Sequence, residues 1–129
     1  MVAGATVPHN GEINTLKGNV NWMKSHEIRM ASNTFGDMAE DIKPIIPGGT
    51  SDSGALDAVF EAMVRSGRNA PMTKTMLVPE AWSKTTIDMP QKWADMYAYC
   101  NAVMEPWDGP AALAMTDGRW VCGGLDRNG

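Results

Sequence analysis

The sequence contains few of the residues that metal and cofactor sites require. It has only two cysteines, Cys100 and Cys122, and two histidines among its 129 residues. A structural zinc site or an iron–sulfur cluster uses about four such ligands, so two cysteines alone are too few. No glycine-rich phosphate motif of the P-loop or dinucleotide-binding form is present. The chain therefore predicts no metal site and no bound cofactor of its own.

Long apolar runs and concentrated positive charge are missing as well. No apolar run approaches the ~20 residues that cross a bilayer, and residues 1–12 lack the apolar core of a signal peptide. The formal net charge is −4, and the 11 basic residues are scattered along the chain. This pattern predicts neither a nucleic-acid partner nor a membrane partner. We expect a cytoplasmic protein in which both cysteines stay reduced and pack as small core residues.

Two segments have the apolar spacing of amphipathic helices. In the first, serines on either side of Asp52 are N-cap candidates, and Gly67 follows the last turn. Its apolar face consists of Leu56, Val59, Phe60, Met63 and Val64. The second begins near Pro90, which suits a first helical turn, and stops before Pro106. Its predicted apolar face consists of Trp93, Met96, Tyr97, Cys100, Val103 and Met104.

The other helical segments are weaker or shorter. Residues 13–31 predict a helix that Gly18 and its neighbouring asparagines weaken. Residues 32–50 contain several prolines and glycines, which predict a loop. A short helix is expected from Thr73 to Val78, where Pro79 stops it.

Three strands are expected around these helices. Residues 1–12 begin with a short apolar strand and end in a turn at residues 9–12. Two apolar runs, at residues 111–116 and 120–125, flank an Asp-Gly pair, which is typical of a β-hairpin. Helices with a single apolar face need a sheet to cover that face, and three strands make a thin sheet. The pattern predicts part of an α+β layered domain.

The string HNGEINTLKGN at residues 9–19 is followed by a Trp-Met pair at residues 22–23. Together they resemble the amidotransferase domain of glutamate synthases. The His-Asn-Gly triplet is common to class II glutamine amidotransferases, and the longer string is more specific. Further matching blocks follow in the family's order, including EPWDGPAA. These blocks lie at residues 51–53, 77–82, 104–112, 116–119 and 125–129.

The resemblance implies an N-terminal-nucleophile hydrolase fold, which is a four-layer αββα sandwich. Residues 1–129 would form part of one such domain, truncated at both ends. It also implies that a cysteine attacks the side-chain amide of glutamine, yielding glutamate and ammonia. In whole glutamate synthases the ammonia is transferred to 2-oxoglutarate in a domain with FMN and an iron–sulfur cluster. The implied partners are glutamine and the rest of the synthase chain, and this segment would bind no cofactor.

The resemblance also implies roles for three residues. The side-chain amide of Asn10 and the backbone N–H of Gly11 would form the oxyanion hole, which needs preorganised donors. Asp52 would bind the α-ammonium group of glutamine through its carboxylate. The alternatives are a plain Asn-Gly turn and an aspartate that interacts only with a helix dipole. For His9 we expect a packing or hydrogen-bonding role and no catalytic one.

The family's nucleophile and its substrate-binding arginine have no counterpart in this sequence. Such a nucleophile is a cysteine that uses its own α-amine as base, which neither internal cysteine can do. We therefore expect the isolated chain to be an inactive fragment. Its thin sheet predicts that it is marginally stable or needs a partner segment to complete the sheet. One alternative is another class II amidotransferase, against which the block at residues 105–110 argues. The other is a non-catalytic glutamine-binding or regulatory module that keeps Asn10 and Asp52.

Overall fold

The computed structural model describes residues 6–30, 34–80 and 88–125. These residues form an α+β structure of helices packed against a small antiparallel sheet, as expected. No helix in the described residues has the length and apolar character to cross a membrane. In chain order the elements are β1 His9–Gly11, α1 Leu16–Glu27, a 3-10 helix Gly36–Ala39, α2 Asp52–Arg65, α3 Ala70–Leu77, α4 Gln91–Val103, β2 Ala111–Thr116 and β3 Val121–Leu125.

The sheet has the order β1-β2-β3, and both strand pairs are antiparallel. Backbone bonds extend the first pairing beyond β1 at both ends. Thr6 and Thr116 exchange two bonds of 3.1 Å, and Asn14 N donates to Asp108 O at 2.8 Å. The turn predicted at residues 9–12 is therefore wrong. Asn-Gly can also lie in a strand, and here the backbone pairing with β2 keeps this stretch extended.

The predicted hairpin is confirmed, and Asp117 organises its turn. Asp117 Oδ1 accepts hydrogen bonds from Arg119 N at 2.9 Å and Trp120 N at 2.7 Å. Asp117 Oδ2 accepts a third from Ala70 N at 3.0 Å, which ties the hairpin to the first turn of α3. The bond from Trp120 N, with those from Arg119 and Ala70, lowers the pKa of Asp117 against the opposing effect of burial.

This carboxylate makes stability depend on pH in acid. A pKa lower in the folded state than in the unfolded state contributes stability above the unfolded value of about 4 and loses it as pH falls. Asp117→Asn should therefore lower the free energy of unfolding by about 1–2 kcal/mol at pH 7, with a smaller difference from the parent chain below about pH 3. The measurement is urea unfolding at both pH values. The exposed Asp37→Asn is the charge-matched control, and an Asp117 difference that does not shrink in acid would contradict this account.

The core lies between the sheet and the helices. The apolar face predicted for α2 is confirmed, because Leu56, Val59 and Phe60 have 0% exposure and Met63 has 7%. Ser51 caps this helix by accepting a bond from Gly54 N at 3.2 Å, as its position predicted. Among the described residues, the largest fully buried side chain is that of Trp107. Burying each large apolar side chain stabilises the fold by roughly 1.5–3 kcal/mol.

Two sequence predictions about packing need correction. On α4, Trp93 is 53% exposed while the next residue, Ala94, is 7% exposed. The rest of the predicted face does meet the core, because Cys100 and Met104 are buried and Met96 and Val103 pack against it. Trp93, in the first turn of α4, is the exposed member of that face. Cys100 is buried as expected, but Cys122 on β3 is only half-buried.

The stretch predicted as a loop at residues 32–50 also contains more order than expected. It includes the 3-10 helix and two buried isoleucines, Ile45 and Ile46. Glu27 Oε2 accepts a bond from Ile45 N at 3.0 Å, so the end of α1 holds this stretch against the core.

Candidate active site

Gly11 lies on β1, where alternate backbone groups point to opposite sides of the strand. The bonds to β2 and its flanking residues come from even-numbered positions, such as Thr6, Glu12 and Asn14. Since an antiparallel ladder alternates, the N–H of Gly11 points away from β2. It is directed toward the outer edge of β1, where an approaching group can accept its hydrogen bond.

Two carboxylates of α2 occupy this outer edge. Asp52 Oδ2 accepts a bond from Ile13 N at 3.0 Å, and Asp57 Oδ1 accepts one from Val7 N at 2.7 Å. Val7 and Ile13 have the same odd parity as Gly11, so their N–H groups point the same way. The N–H of Gly11 therefore lies between two backbone donors that α2 holds. Sequence reasoning found Asp52 but missed Asp57, whose partner is 50 residues away along the chain.

The side chain of Asn10 lies on the exposed face of the sheet. Asn10 pairs with Ala112, and opposite residues in antiparallel strands project to the same face. Both residues are exposed, as are Val121 and Leu125 at 83% and 64% on the neighbouring strand. The carboxamide of Asn10 is therefore accessible at the same strand as the Gly11 N–H.

Gly11 and Gly109 permit an unusually close approach of two backbone segments. Their φ angles are +141° and +150°, which side chains rarely adopt. A Cβ on Gly11 would overlap the carbonyl oxygen of Pro110 and lie 2.8 Å from Ala111 Cα. A Cβ on Gly109 would overlap the carbonyl oxygen of Glu12. Glycine is therefore required at both positions by the backbone itself.

Asp52 is held as a carboxylate beside this strand. The bond from Ile13 N is the largest cause of its lowered pKa, which partial burial opposes and a further bond from Ser53 N at 2.7 Å supports. The positive charge that His9 can carry lowers it further. Asp52 is thus an anion at neutral pH at the first turn of α2, where it can attract an ammonium group.

Residues 5–129 match the family model of the class-II glutamine amidotransferases. The chain belongs to this family. Membership implies the N-terminal-nucleophile hydrolase fold, and the helices and antiparallel sheet of the described residues are consistent with part of it.

Individual relatives narrow the resemblance to glutamate synthases. The amidotransferase segment is 66% identical over 123 residues to the glutamate synthase [NADPH] large chain of Azospirillum brasilense. It is 47% identical over 121 residues to the corresponding chain of Bacillus subtilis, and 50% over 122 residues to glutamate synthase [NADH] of Saccharomyces cerevisiae. Each match covers 94% of this chain but only 6–8% of the relative.

The buried cysteine of the amidotransferase segment is unsuited to nucleophilic chemistry. Cys100 has 0% exposure, and burial raises the pKa of its thiol, so little reactive thiolate forms. Cys122 lies on β3, in another element. The described residues contain no group of three or more histidine, cysteine or acidic side chains that could hold a metal ion. They do not fit an iron–sulfur cluster.

The expected hydrogen-bonding role of His9 is not seen at one ring nitrogen. His9 Nε2 is buried and has no hydrogen-bond partner in the described part of the chain. His9 interacts electrostatically with Asp52 and lowers the pKa of its carboxyl group.

Sequence reasoning missed Thr15 and Asn19, which hold the block at residues 105–108. It treated Asn19 only as a residue that weakens α1, yet its exposure is 1%. A usable signal was its position three residues after Leu16 and four before Met23, on the apolar stripe of the helix.

A cavity of about 410 Å³ lies apart from this site. It is bounded by α1, α2 and the end of α4, and none of Asn10, Gly11 and Asp52 lines it. Two of its polar groups are already engaged, because Glu27 accepts from Ile45 N and Ser66 donates to Met63 O. We therefore place the candidate site at β1 and the first turn of α2.

Proposed function

We propose that this chain is a segment of the glutaminase domain of a glutamate synthase. Asn10 and the N–H of Gly11 stabilise the oxyanion formed during glutamine hydrolysis, and Asp52 binds the α-ammonium of glutamine. The observation that carries the proposal is the direction of the Gly11 N–H. It points away from β2 at the edge of the sheet, between the N–H groups of Val7 and Ile13, which donate to carboxylates of α2.

The chemistry needs a nucleophile from outside these residues. A cysteine thiolate attacks the glutamine side-chain carbonyl, a carbon–sulfur bond forms, and the carbon–nitrogen bond breaks to release ammonia. Water then cleaves the thioester to give glutamate. Both steps pass through a tetrahedral oxyanion, which Asn10 and Gly11 would stabilise. The ammonia passes to 2-oxoglutarate in the rest of the synthase chain, where FMN and the iron–sulfur cluster bind. The compartment we propose is the cytoplasm.

The exposed sheet face supports the αββα sandwich that the family implies. Ala112 and Ala114 are small and exposed on this face, and Val121 and Leu125 add large apolar groups. A second sheet packed about 10 Å above would cover them. Residues 1–129 would then be part of one such domain.

The test compares the chain alone with a hybrid enzyme. In the hybrid, this chain replaces the matching 123-residue stretch of the Azospirillum brasilense large chain, with which it is 66% identical. We expect the hybrid to release ammonia and glutamate from L-glutamine and the chain alone to release none, because the chain has no cysteine with a free α-amine. Ammonia assay and intact mass after a reactive glutamine analogue provide the readout.

Three outcomes would contradict the proposal. One is a folded hybrid that keeps ammonia-dependent synthesis but cannot use glutamine. Another is turnover by the chain alone with an adduct on Cys100 or Cys122, which would indicate an amidase of different design. The third is glutamine binding by the chain alone together with an inactive hybrid, which would favour the non-catalytic binding module.

A further inference from the structure

Thr15 and Asn19 form a buried connection between α1 and the block at residues 105–108. Asn19 Nδ2 donates to the carbonyl oxygens of Glu105 at 3.3 Å and Pro106 at 3.0 Å. Asn19 Oδ1 accepts from the hydroxyl of Thr15 at 2.6 Å, and Thr15 Oγ1 accepts from Asp108 N at 3.0 Å. We call the Thr15 and Asn19 side chains the latch.

The latch acts on the segment that pairs with the strand carrying Gly11. Asp108 O accepts from Asn14 N at 2.8 Å, and Pro110 O accepts from Glu12 N at 2.9 Å. Residues 105–108, which the latch holds, are followed closely along the chain by Pro110, which contacts Gly11. Gly11 and Pro110 are in such close contact that no added atom fits between them.

Thr15 makes these bonds at the expense of capping its own helix. It occupies the N-cap position of α1, but its side chain makes no capping bond. A threonine cap usually stabilises a helix by about 1 kcal/mol. The hydroxyl instead joins Asn19 to Asp108 N, a contact across 93 residues of sequence. The Thr15 side chain therefore helps to hold residues 105–108 in place and does not stabilise the start of α1.

We propose that Thr15 and Asn19 are positioning residues for glutamine hydrolysis. By holding residues 105–108, the latch fixes the backbone that presses on Gly11 and so aims the Gly11 N–H at the oxyanion. The inference rests on the proposed function of Gly11. Because an oxyanion donor acts mainly in the transition state, loosening the latch should affect kcat more than the KM for glutamine.

The experiment uses the hybrid enzyme and the isosteric variant Thr15→Val. Its methyl group cannot donate to Asn19 or accept from Asp108 N. We expect kcat for glutamine hydrolysis to fall about tenfold, a fraction of the 10²–10³ lost when an oxyanion donor is removed. The KM for glutamine should stay within about twofold. Thr15→Ser keeps the hydroxyl and should restore kcat.

Thr75→Val is the matched control, because Thr75 is also half-buried but its hydroxyl bonds only within α3, to Pro71 O at 2.9 Å. It should leave kcat unchanged. An unchanged kcat in Thr15→Val would overturn the inference, as would a rise in KM alone. Equal loss in Thr15→Val and Thr15→Ser would show a role in packing only. An unsubstituted hybrid without glutaminase activity would contradict the proposed function itself.

Discussion

Replacing Gly11 with alanine is expected to destabilise the chain by about 3 kcal/mol or more. The substitution combines two costs. Gly11 has a φ of +141°, a conformation that alanine adopts only with strain. The new Cβ would also overlap the carbonyl oxygen of Pro110, which is backbone and cannot rotate away. The strand must therefore separate from Pro110, and the Glu12 N bond to Pro110 O at 2.9 Å is lost.

The control for this prediction is another glycine. Gly18 lies in α1, is exposed, and would place a Cβ in open space. Gly18→Ala should raise the free energy of unfolding by up to about 1 kcal/mol, because alanine favours helix. Urea unfolding followed by tryptophan fluorescence, together with resistance to protease, measures both variants. Equal midpoints for Gly11→Ala and the parent chain would show that β1 and Pro110 are not in this close contact.

Local patterns predicted the elements whose determinants are close in sequence. The apolar face of α2 repeats over three turns, so Leu56, Phe60 and Met63 indicate both the helix and its buried side. The hairpin was equally visible, because Asp117 bonds to residues two and three positions later. In both cases the interactions that define the element lie within the element.

Features decided by distant partners could not be predicted in this way. Residues 9–12 contain Asn-Gly, which suits a turn, but pairing with β2 about one hundred residues later makes them a strand. Asn19 has poor helix propensity, yet two carbonyl groups of residues 105 and 106 compensate its burial. Trp93 is exposed in the first turn of α4 although the later turns of the same face pack, and apolar spacing alone does not determine how much of a helix is covered.

The residues of the candidate site also fall into those that the sequence predicted and those that depend on distant partners. Asn10, Gly11 and Asp52 were predicted from the resemblance, and the bond from Ile13 N to Asp52 connects α2 to the strand that carries the other two. Asp57, Thr15 and Asn19 were not predicted, because each one acts on backbone far along the chain. Thr15 and Asn19 lie within the string at residues 9–19 that carries the resemblance, but the string does not indicate that their side chains contact residues 105–108.

Asn10→Ala in the hybrid enzyme is expected to lower kcat for glutamine hydrolysis by about 10²–10³-fold. The lost carboxamide would donate to the oxyanion, whose charge develops only in the transition state, so KM should change little. A thermal melt of the Asn10→Ala hybrid beside the unsubstituted hybrid separates a catalytic loss from a structural one, because a purely catalytic loss leaves the melting temperature unchanged.

Asp52→Asn gives the contrasting result that makes the Asn10 prediction specific. Asparagine keeps an oxygen that can accept from Ile13 N, as Asp52 Oδ2 does at 3.0 Å, but it removes the negative charge. If Asp52 binds the α-ammonium of glutamine, KM should rise at least about tenfold while the oxyanion donors remain in place. Steady-state kinetics of both variants measure this split. A large rise in KM for Asn10→Ala, or a fall in kcat alone for Asp52→Asn, would mean that the two roles are assigned to the wrong residues.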